Sequence, residues 1–449
     1  MNNLEKYNTL RKQYPEFCYE SFDYSITSDG MKITFMFTIG EEIVFNPTIN
    51  IPQRNFYRWD SITKEQYDIL VFNIGMIELI SYWKSTCSPK IVVKPFVLND
   101  KQIEFWKKLY YNGLSEFFYI NGIDTKEDEF VTINVESDKT LEKVNFTTSD
   151  TYIVPIGGGK DSVVTLELLL QSGKDICPMI INPRGATLEC ARIAGFGRDN
   201  FIEVKRTIDS NLLELNAKGY LNGHTPFSAM LAFHSLLVAA ITGRKNIALS
   251  NESSANESTI VGTNVNHQYS KSLEFENDFR KYVFDYITND INYFSFLRPL
   301  SELQIAMLFA KNDKYFDVFK SCNVGSKTDI WCGNCPKCLF AYIILSPFIK
   351  PEVLNRIFGK SMLDDPSLRL YFDQLTGLMP TKPFECVGTI DEVNTALAMT
   401  IERYYSDSNC PYLLKGYEAK PFTISTDTLS YHHNLTAELL TLFKLEDVR

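Results

Sequence analysis

The sequence predicts an α/β protein with a doubly wound parallel sheet, an α+β amino-terminal region and a mainly helical carboxyl-terminal region. Between residues 146 and 348, short apolar runs typical of strands alternate with segments that have helical spacing. This alternation indicates parallel pairing, because a crossover helix returns the chain to the same end of the sheet. In such sheets, ligands bind beyond the carboxyl ends of the strands, so polar residues there are candidate site residues.

The predicted elements divide the 449 residues into three regions, 1–145, 146–348 and 349–449. In the middle region, the pattern predicts strands at 151–156, 176–181, 200–208 and 246–250, and helices at 162–171, 186–194 and 227–241. In the outer regions, it predicts strands at 31–38 and 42–45, amphipathic helices at 67–83 and 102–118, and further helices at 390–405 and 435–445.

The composition excludes several classes of protein. With 45% hydrophobic and 22% charged residues, the chain is typical of a globular protein with a large core. The net charge of -10 argues against a nucleic-acid partner, because such affinity comes from Lys and Arg. The start has no apolar signal segment, and the longest apolar stretch, 229–241, is too short to span a bilayer. We therefore expect a cytoplasmic protein with no membrane partner and with reduced cysteines.

The sharpest local motif is a run of three glycines that follows a predicted strand and precedes a predicted helix. Gly157, Gly158 and Gly159 permit a tight turn and bring backbone amides close to a phosphate. Lys160, Asp161 and Ser162 follow, and the helix they open has a positive amino-terminal dipole. The common nucleoside-triphosphate loop is excluded, because it requires four residues between its first Gly and Gly-Lys-Ser/Thr. A plain glycine-rich turn is the simpler alternative.

This motif resembles the SGGxDS loop of the PP-loop ATP-pyrophosphatases, with Gly157 in place of the usual first Ser. The resemblance implies the fold of adenine nucleotide α-hydrolases and a site for ATP with Mg²⁺. It implies that the pyrophosphate end of ATP is held by Gly157, Gly158, Gly159, Asp161 and Ser162. The α-phosphorus would then be open to attack, and the products would be AMP and pyrophosphate.

Four of the ten cysteines lie within 17 residues and predict a metal site. Their spacing, C-x9-C-x2-C-x2-C, suits a closed tetrahedral zinc site that is structural because no coordination position stays open. An iron–sulfur cluster and free thiols are the alternatives. The same arrangement resembles the zinc-binding tail of the 7-cyano-7-deazaguanine synthases, a PP-loop group that activates a carboxylate. The ligands would be Cys322, Cys332, Cys335 and Cys338.

A wider resemblance covers nearly the whole chain. The segments 75–84, 110–117, 264–272 and 382–389, together with GGGKDS and WCGNCPKC, resemble the bacterial ATP-dependent epimerases of UDP-N-acetylmuramoyl-L-alanyl-L-glutamate. This resemblance implies inversion of the terminal L-Glu to D-Glu in a peptidoglycan precursor, with adenylylation of its carboxylate. UDP-N-acetylmuramoyl-L-Ala-L-Glu would be the substrate.

Such chemistry requires cations near the developing charge and acid/base groups at the α-carbon. We expect Lys160, Lys271 and Arg184 to supply positive charge. Cys386 and Glu385 are candidate proton-transfer groups, with Lys382 lowering the thiol pKa. We further expect His267 and Tyr269 to approach the substrate, and Asn251 and Glu252 to hold ribose or Mg²⁺. The simpler alternatives are a buried core thiol at Cys386, a structural histidine at 267 and helix capping by Asn251 and Glu252.

Three other functions stay open at this point. An amide- or nitrile-forming ligase similar to the deazaguanine synthases would require ammonia. A tRNA-modifying enzyme would require a basic surface that an acidic chain does not indicate. A nucleotide sensor would bind ATP without turnover.

Overall fold

A computed structural model describes residues 2–260, 265–406 and 408–445 and has the α/β fold that the sequence predicts. Within this part of the chain, the residues form two compact units, each built from three separate stretches. Unit 1 comprises Met1–Ile153, Ile202–Ile247 and Gln268–Tyr293, and unit 2 comprises Val154–Phe201, Ala248–His267 and Phe294–Arg449. The division into regions 1–145, 146–348 and 349–449 stays a prediction.

The strands form a mixed sheet, and their bounds in chain order are β1 Glu16–Thr27, β2 Gly30–Ile39, β3 Ile43–Phe45, β4 Thr48–Pro52, β5 Lys90–Val93, β6 Thr132–Val135, β7 Ser149–Pro155, β8 Ile176–Ile181, β9 Ile202–Arg206, β10 Arg244–Leu249 and β11 Asn292–Ser295. The predicted strands at 31–38, 42–45, 151–156, 176–181, 200–208 and 246–250 correspond to β2, β3, β7, β8, β9 and β10.

The helices flank the sheet, and their bounds are α1 Asn3–Gln13, α2 Lys64–Trp83, α3 Asp100–Gly113, α4 Ser115–Ile120, α5 Lys160–Gln171, α6 Gly185–Ile193, α7 Ser210–Ala217, α8 Phe227–Thr242, α9 Leu273–Tyr286, α10 Glu302–Ala310, α11 Pro336–Leu345, α12 Pro351–Phe358, α13 Arg369–Thr376, α14 Ile390–Tyr404 and α15 Ala437–Leu440. Over the described ranges, none of them combines the length and the apolarity that crossing a bilayer would take.

The sheet of unit 1 starts from an antiparallel hairpin of β1 and β2. Its turn requires glycine, because Gly30 has a φ of +121° and a Cβ there would lie 2.1 Å from the Ile51 carbonyl oxygen. β2 pairs antiparallel with β3 and β4, and β4 pairs antiparallel with β9. On the other side, β1 pairs in parallel with β5, and β5 with β6. The strand order β9-β4-β2-β1-β5-β6 is therefore antiparallel at one end and parallel at the other.

An aromatic core in unit 1 joins this sheet to α2. Tyr19, Phe35 and Phe37 of the strands are fully buried, and Tyr19 stacks on Phe72 of α2 with ring centroids 5.9 Å apart. The prediction of an amphipathic helix is wrong here, because α2 is buried on all sides over residues 67–83. Its second neighbour is the apolar helix α8, which removes the solvent-facing side that an amphipathic helix would have.

Two predicted helices differ from the structure in length. The segment 102–118 is divided, because Leu114 has φ -102° and ψ 9° and separates α3 from α4. Gly113 ends α3 and leaves room for the ring of Pro226. A Cβ at position 113 would lie only 2.8 Å from the Pro226 Cγ. The segment 435–445 contains only the four residues of α15, which begins after the capping side chain of Thr436.

The core of unit 2 is built from helices and an aromatic series. α5 packs against α10, α10 contacts α11 and α14, and those two helices contact each other and α13. Phe309 of α10, Phe319, Trp331 and Phe358 of α12 follow one another with ring centroids 4.5, 5.3 and 4.6 Å apart. Because Trp331 directly precedes Cys332, this core anchors one end of the cysteine segment.

β7 leads into the glycine run from the end of a parallel strand pair. Its residues Tyr152 and Ile153 align in parallel with Asn246 and Ile247 of β10. Beyond β7, the N–H of Ile156 donates a hydrogen bond of 2.8 Å to a carbonyl of β8. The glycines therefore lie where parallel sheets bind ligands.

Candidate functional site

The glycine loop, residues 156–162, lies between β7 and the first turn of α5. Gly158 has a φ of +79°, in the left-handed region that residues with a side chain rarely adopt. A Cβ on Gly158 would also lie 3.0 Å from the backbone of Ala186 and Thr187 at the start of α6. Gly157 is exposed, with no neighbouring atom within 4 Å of an added Cβ. Glycine at 158 is therefore required both by the backbone conformation and by the close approach of α6.

The amino terminus of α5 carries no side-chain cap. Gly159 is its N-cap residue, and no side chain accepts a hydrogen bond from the first-turn amides there. Asp161 does not cap the helix, and the hydroxyl of Ser162 donates to the Gly159 carbonyl at 3.0 Å. Free N–H groups and the helix dipole make such a terminus attractive to anions. The loop and this helix end together fit a chain of phosphate groups.

Lys160 is buried directly at this helix end, with 5% of its surface exposed. Its ammonium donates to Asp161 Oδ1 at 2.5 Å and to Glu302 Oε2. Burial disfavours the charged lysine, but the carboxylates of Asp161 and Glu302 outweigh it and raise the pKa of Lys160 above its usual value. Lys160 is therefore a fixed positive charge beside the glycine loop.

Glu302 and Glu392 are site residues that the sequence did not indicate. Glu302 begins α10, and its N–H donates to Glu392 Oε1 at 2.8 Å. The other Glu392 oxygen accepts from the N–H of Thr389 at 2.7 Å. Burial raises the pKa of both carboxyl groups. In the sequence, Glu392 looks like the last residue of a Thr-x-x-Glu capping box, and Glu302 looks like an ordinary acidic residue in the first turn of a helix. No sequence pattern therefore connects either glutamate with Lys160.

Asn251 and Glu252 follow the end of β10 and are both buried. Asn251 Nδ2 donates to Ser295 Oγ at 3.1 Å, and the buried Arg298 donates to the Glu252 carbonyl. Neither side chain caps the short helix that follows, so the simpler capping alternative is wrong. The Glu252 charge is close enough to Glu302 to raise the pKa of that carboxyl further. Asp161 and Glu302 therefore pair with Lys160, and Glu252 adds a further negative charge close to Glu302.

The four predicted cysteines come together as a compact sulfur cluster. The sulfur atoms of Cys322 and Cys335 are 3.8 Å apart, those of Cys332 and Cys338 3.8 Å, and those of Cys335 and Cys338 3.4 Å. A tetrahedral ion with metal–sulfur bonds of about 2.3 Å has sulfur–sulfur edges of about 3.8 Å, so the spacing fits. All four sulfurs lie within 4.8 Å of one another. The cluster can therefore hold a metal ion with four thiolate ligands.

Backbone amides support this cluster in the manner of metal-binding turns. The N–H of Gly325 donates to Cys322 Sγ at 3.1 Å, and the N–H of Cys338 to Cys335 Sγ at 3.4 Å. The hydrogen bond between the Cys335 and Cys338 sulfurs lowers the pKa of Cys335 to about 5 and raises the pKa of Cys338, and burial raises the pKa of Cys332 to about 11. Because metal binding requires thiolates, binding would release protons from the cysteines whose pKa is raised.

The candidate proton-transfer residues Glu385 and Cys386 lie in the turn before α14, both half-buried. Glu385 Oε2 accepts a hydrogen bond of 2.5 Å from Asn323 Nδ2. Burial raises the pKa of the Glu385 carboxyl, and the nearby Cys386 raises it further. The positive charges of Lys337 and His267 lower it in part. The geometry thus brings Glu385, Cys386 and His267 into electrostatic range of one another within unit 2.

Lys382 has a different partner from the one predicted. Its ammonium, 5% exposed, pairs with the carboxylate of Glu257, whereas the sequence predicts that it lowers the pKa of Cys386. The N–H of Lys382 donates to the Thr259 carbonyl at 3.1 Å, and the Thr259 hydroxyl accepts from the N–H of His267 at 3.1 Å. Lys382 therefore ties the segment of Glu385 to the segment of His267.

The remaining predicted residues occupy separate places. Arg184 is exposed and immediately precedes α6. Lys271 and Tyr269 belong to unit 1, where they form a single helical turn before α9. Tyr269 is a core residue, and burial raises its pKa. Asn264, the first residue of the polar segment 264–272, lies outside the described residues.

Comparisons with known proteins agree over most of the chain. The family model described as the MurL N-terminal domain matches residues 8–296, and that of the MurL C-terminal domain matches residues 318–420. Three similar proteins are named UDP-N-acetyl-alpha-D-muramoyl-L-alanyl-L-glutamate epimerase. The one from Xanthomonas oryzae pv. oryzae is 35% identical over 338 residues, 74% of each chain. That from Salinispora tropica is 35% identical over 337 residues, 74% of this chain and 72% of its own. That from Micromonospora sp. is 34% identical over 331 residues, 72% of this chain and 73% of its own.

Proposed function

The chain belongs to the MurL family, and on this premise we propose that it is an ATP-dependent epimerase of UDP-N-acetylmuramoyl-L-alanyl-L-glutamate. It would invert the terminal L-Glu to D-Glu through an adenylylated carboxylate and release AMP and pyrophosphate. Three relatives that carry this epimerase name support the substrate. The observation that carries the ATP requirement is the glycine loop, whose shape and uncapped helix suit the outer phosphates of a nucleotide.

The chemistry explains why an inversion would consume ATP. Removing the α-proton beside a free carboxylate would place further negative charge on an anion. In the proposed first step, a carboxylate oxygen bonds to the α-phosphorus of ATP, and the bond to pyrophosphate breaks. The α-proton then leaves to a base, a proton returns to the opposite face, and water cleaves the mixed anhydride to carboxylate and AMP. The hydrolysis gives the inversion its direction.

The geometry of the glycine loop supports the phosphate-binding roles that we propose. We assign the outer phosphates to the amides of residues 157–162 and the hydroxyl of Ser162. The buried ammonium of Lys160 offsets charge at the α-phosphorus. Carboxylate oxygens suit Mg²⁺, so Glu252 and Asn251 are assigned to the ribose or to the Mg²⁺ that accompanies ATP. For Lys271 and Arg184 we keep the roles that the sequence predicts, in which Lys271 offsets charge during catalysis and Arg184 contacts the substrate.

For proton transfer we assign Glu385 and Cys386, with His267 and Tyr269 as substrate contacts and Lys382 as the residue that fixes their segments. Because burial raises the pKa of Glu385, its carboxyl exchanges a proton closer to neutrality than an exposed glutamate does. We assign Zn²⁺ to Cys322, Cys332, Cys335 and Cys338, where four thiolates leave it a structural role. A reaction that consumes ATP would take place in the cytoplasm.

Incubation in deuterated water with ATP, Mg²⁺ and UDP-N-acetylmuramoyl-L-Ala-L-Glu tests the proposal. We expect deuterium at the glutamate α-carbon, inversion to D-Glu, and equal amounts of AMP and pyrophosphate. Lys160→Ala should abolish these products, whereas Lys350→Ala, which removes an exposed lysine, should leave them unchanged.

Two outcomes would contradict the assignment. Formation of ADP would exclude attack at the α-phosphorus. A product that incorporates added ammonia without inversion would favour the alternative ligase similar to the 7-cyano-7-deazaguanine synthases.

A further inference from the structure

The segment between the first two cysteines of the metal cluster is folded back on itself. We call residues 320–331 the knuckle loop. The N–H groups of Thr328 and Ile330 both donate to the Gly325 carbonyl, at 3.2 and 3.1 Å. A Cβ on Gly325 would lie 2.1 Å from the Ile330 carbonyl oxygen, so only glycine permits this fold. Because Cys322 and Cys332 are both cluster residues, a bound ion would fix the loop near both ends.

Asp329 extends from the knuckle loop to the start of α6. Its Oδ1 accepts a hydrogen bond of 2.7 Å from the N–H of Ala186. A Cβ on Gly185 would lie 2.1 to 2.4 Å from the Asp329 carboxyl group, so this glycine makes room for it. Asp329 itself has a φ of +56°, a left-handed conformation that Asp and Asn tolerate better than other residues with a side chain.

The same loop also contacts the glycine loop directly. The N–H of Lys320 donates to the Gly158 carbonyl at 2.8 Å. A Cβ on Gly159 would lie 3.3 Å from Ser321 Cβ. On its other side, Gly158 meets the backbone of Ala186, the residue to which Asp329 is bonded. Gly158 is thus enclosed by the knuckle loop on one side and by the helix turn that Asp329 holds on the other.

We propose that Asp329 is a positioning residue for nucleotide binding, which links the cysteine cluster to the shape of the glycine loop. Its carboxylate fixes the first turn of α6 against Gly158, and an ion held by the four cysteines would fix the loop that carries Asp329. The inference rests on the proposed assignment of the glycine loop to ATP. Its consequence is that ATP affinity depends on a side chain that does not touch the nucleotide.

The test is calorimetric titration of the zinc-loaded protein with ATP and Mg²⁺ in the absence of the dipeptide substrate. Asp329→Gly removes the carboxylate but tolerates the positive φ, and we expect its Kd for ATP to rise about tenfold, as for loss of a charged helix cap. Asp329→Asn keeps an acceptor oxygen and should stay within about threefold of the original Kd. Asp317→Ala, which removes an exposed carboxylate of the same unit, is the matched control.

Two further measurements separate positioning from a general structural effect. Zinc content per chain and the thermal midpoint should be the same in Asp329→Gly as in the unaltered protein. Amide hydrogen exchange should increase at residues 157–162 in this variant, and also in the unaltered protein after chelation of the metal, with no change in α2.

The negative results of these experiments would contradict different parts of the proposal. Failure of the unaltered protein to bind ATP would contradict the proposed function. Normal ATP binding by both the unaltered protein and Asp329→Gly would contradict the positioning role alone. If Asp329→Gly loses zinc or unfolds, the test is the unaltered protein after chelation of its metal. Unchanged amide hydrogen exchange at residues 157–162 in that protein would overturn the inference.

Discussion

At the scale of single residues, Lys84 is a buried lysine whose ammonium is held by a backbone carbonyl. It follows α2, is 7% exposed, and donates a hydrogen bond to the Gly223 carbonyl. Within the described residues, no carboxylate lies within ion-pair distance of it. Burial lowers the pKa of Lys84 from its usual 10.5 to about 8, and the neighbouring Arg206 contributes. The folded state therefore binds the Lys84 proton more weakly than the unfolded chain does.

This shift predicts a pH dependence of stability. Between about pH 8 and pH 10.5 the unfolded chain retains the proton while the folded protein has released it, so the free energy of unfolding rises with pH there. Lys84→Met should lose this rise and be more stable at pH 7 by roughly 2 to 3 kcal/mol. Chemical denaturation from pH 7 to 10.5 measures both effects, with exposed Lys350→Met as control. A variant that is less stable than the original at pH 7 would contradict the reasoning.

Glu385 leads to a second prediction at this scale. As a base, it acts only when ionised, so proton exchange should fall as pH drops through its raised pKa, at a pH above the usual value of 4.5. Glu385→Gln should lower the rate of deuterium entry at the α-carbon by about 10²-fold or more and remove this acid limb. Glu385→Asp should restore part of the rate. Glu418→Gln, at an exposed position, is the control, and an unaffected rate in Glu385→Gln would assign the proton to another group.

The residues that could be predicted are those whose evidence is local. Gly158 and the four cysteines are indicated by neighbours within a few positions, because a turn or a tetrahedral site constrains a short stretch of chain. Glu302 could not be found this way, since the lysine that it binds is 142 residues distant in sequence. Lys382 was predicted to act on Cys386, four positions away, and its ion pair with Glu257, 125 positions away, could not be predicted from the local sequence.

At the scale of elements, the turn from β7 to α5 depends on one glycine more than on its neighbours. Gly158→Ala would place a side chain in a left-handed backbone and 3.0 Å from α6. We expect it to lower the free energy of unfolding by about 2 kcal/mol. Gly157→Ala, with open space around the added Cβ, should change it by less than about 0.5 kcal/mol. Urea denaturation followed by circular dichroism measures both, and equal effects would contradict the steric argument.

The strands β7 to β10 and the helices α5, α6 and α8 could be predicted, because the spacing of apolar residues indicates which face of an element is buried. Predictions from apolar spacing fail where contacts between distant segments decide which residues are buried. α2 has apolar residues on all sides because unit 1 covers both of its faces with β1 and α8. The break between α3 and α4 falls at Leu114, next to Gly113, which leaves room for the ring of Pro226 from a distant segment.

At the scale of the whole molecule, the chain passes repeatedly between its two units. Each unit collects three stretches, and β7 begins in unit 1 and ends in unit 2. A contiguous region such as 1–145 is defined by its sequence pattern. A compact unit is defined by which segments pack together, and these segments are not consecutive in the chain. This is the physical reason that a linear sequence predicts elements better than it predicts their grouping.

The net charge of -10 raises the question of how anionic ligands approach. At physiological salt, repulsion between exposed charges is screened beyond about 8 Å, so distant acidic residues contribute little. In the proposed nucleotide site, the groups that would decide binding are the uncapped amides of α5 and the buried ammonium of Lys160. A local site for nucleotides is therefore compatible with an acidic chain, whereas a long polyanion would meet the acidic surface along its length.

The short separations among the four sulfur atoms have a practical consequence for anyone who handles the protein. Cys335 and Cys338, 3.4 Å apart, are positioned to join covalently if the ion is stripped in air. That oxidation would remove two of the four sulfur ligands, so added zinc alone could not restore the site. Purification without chelators and with a reductant would keep the preparation homogeneous, and lost activity that returns with a thiol would identify this damage.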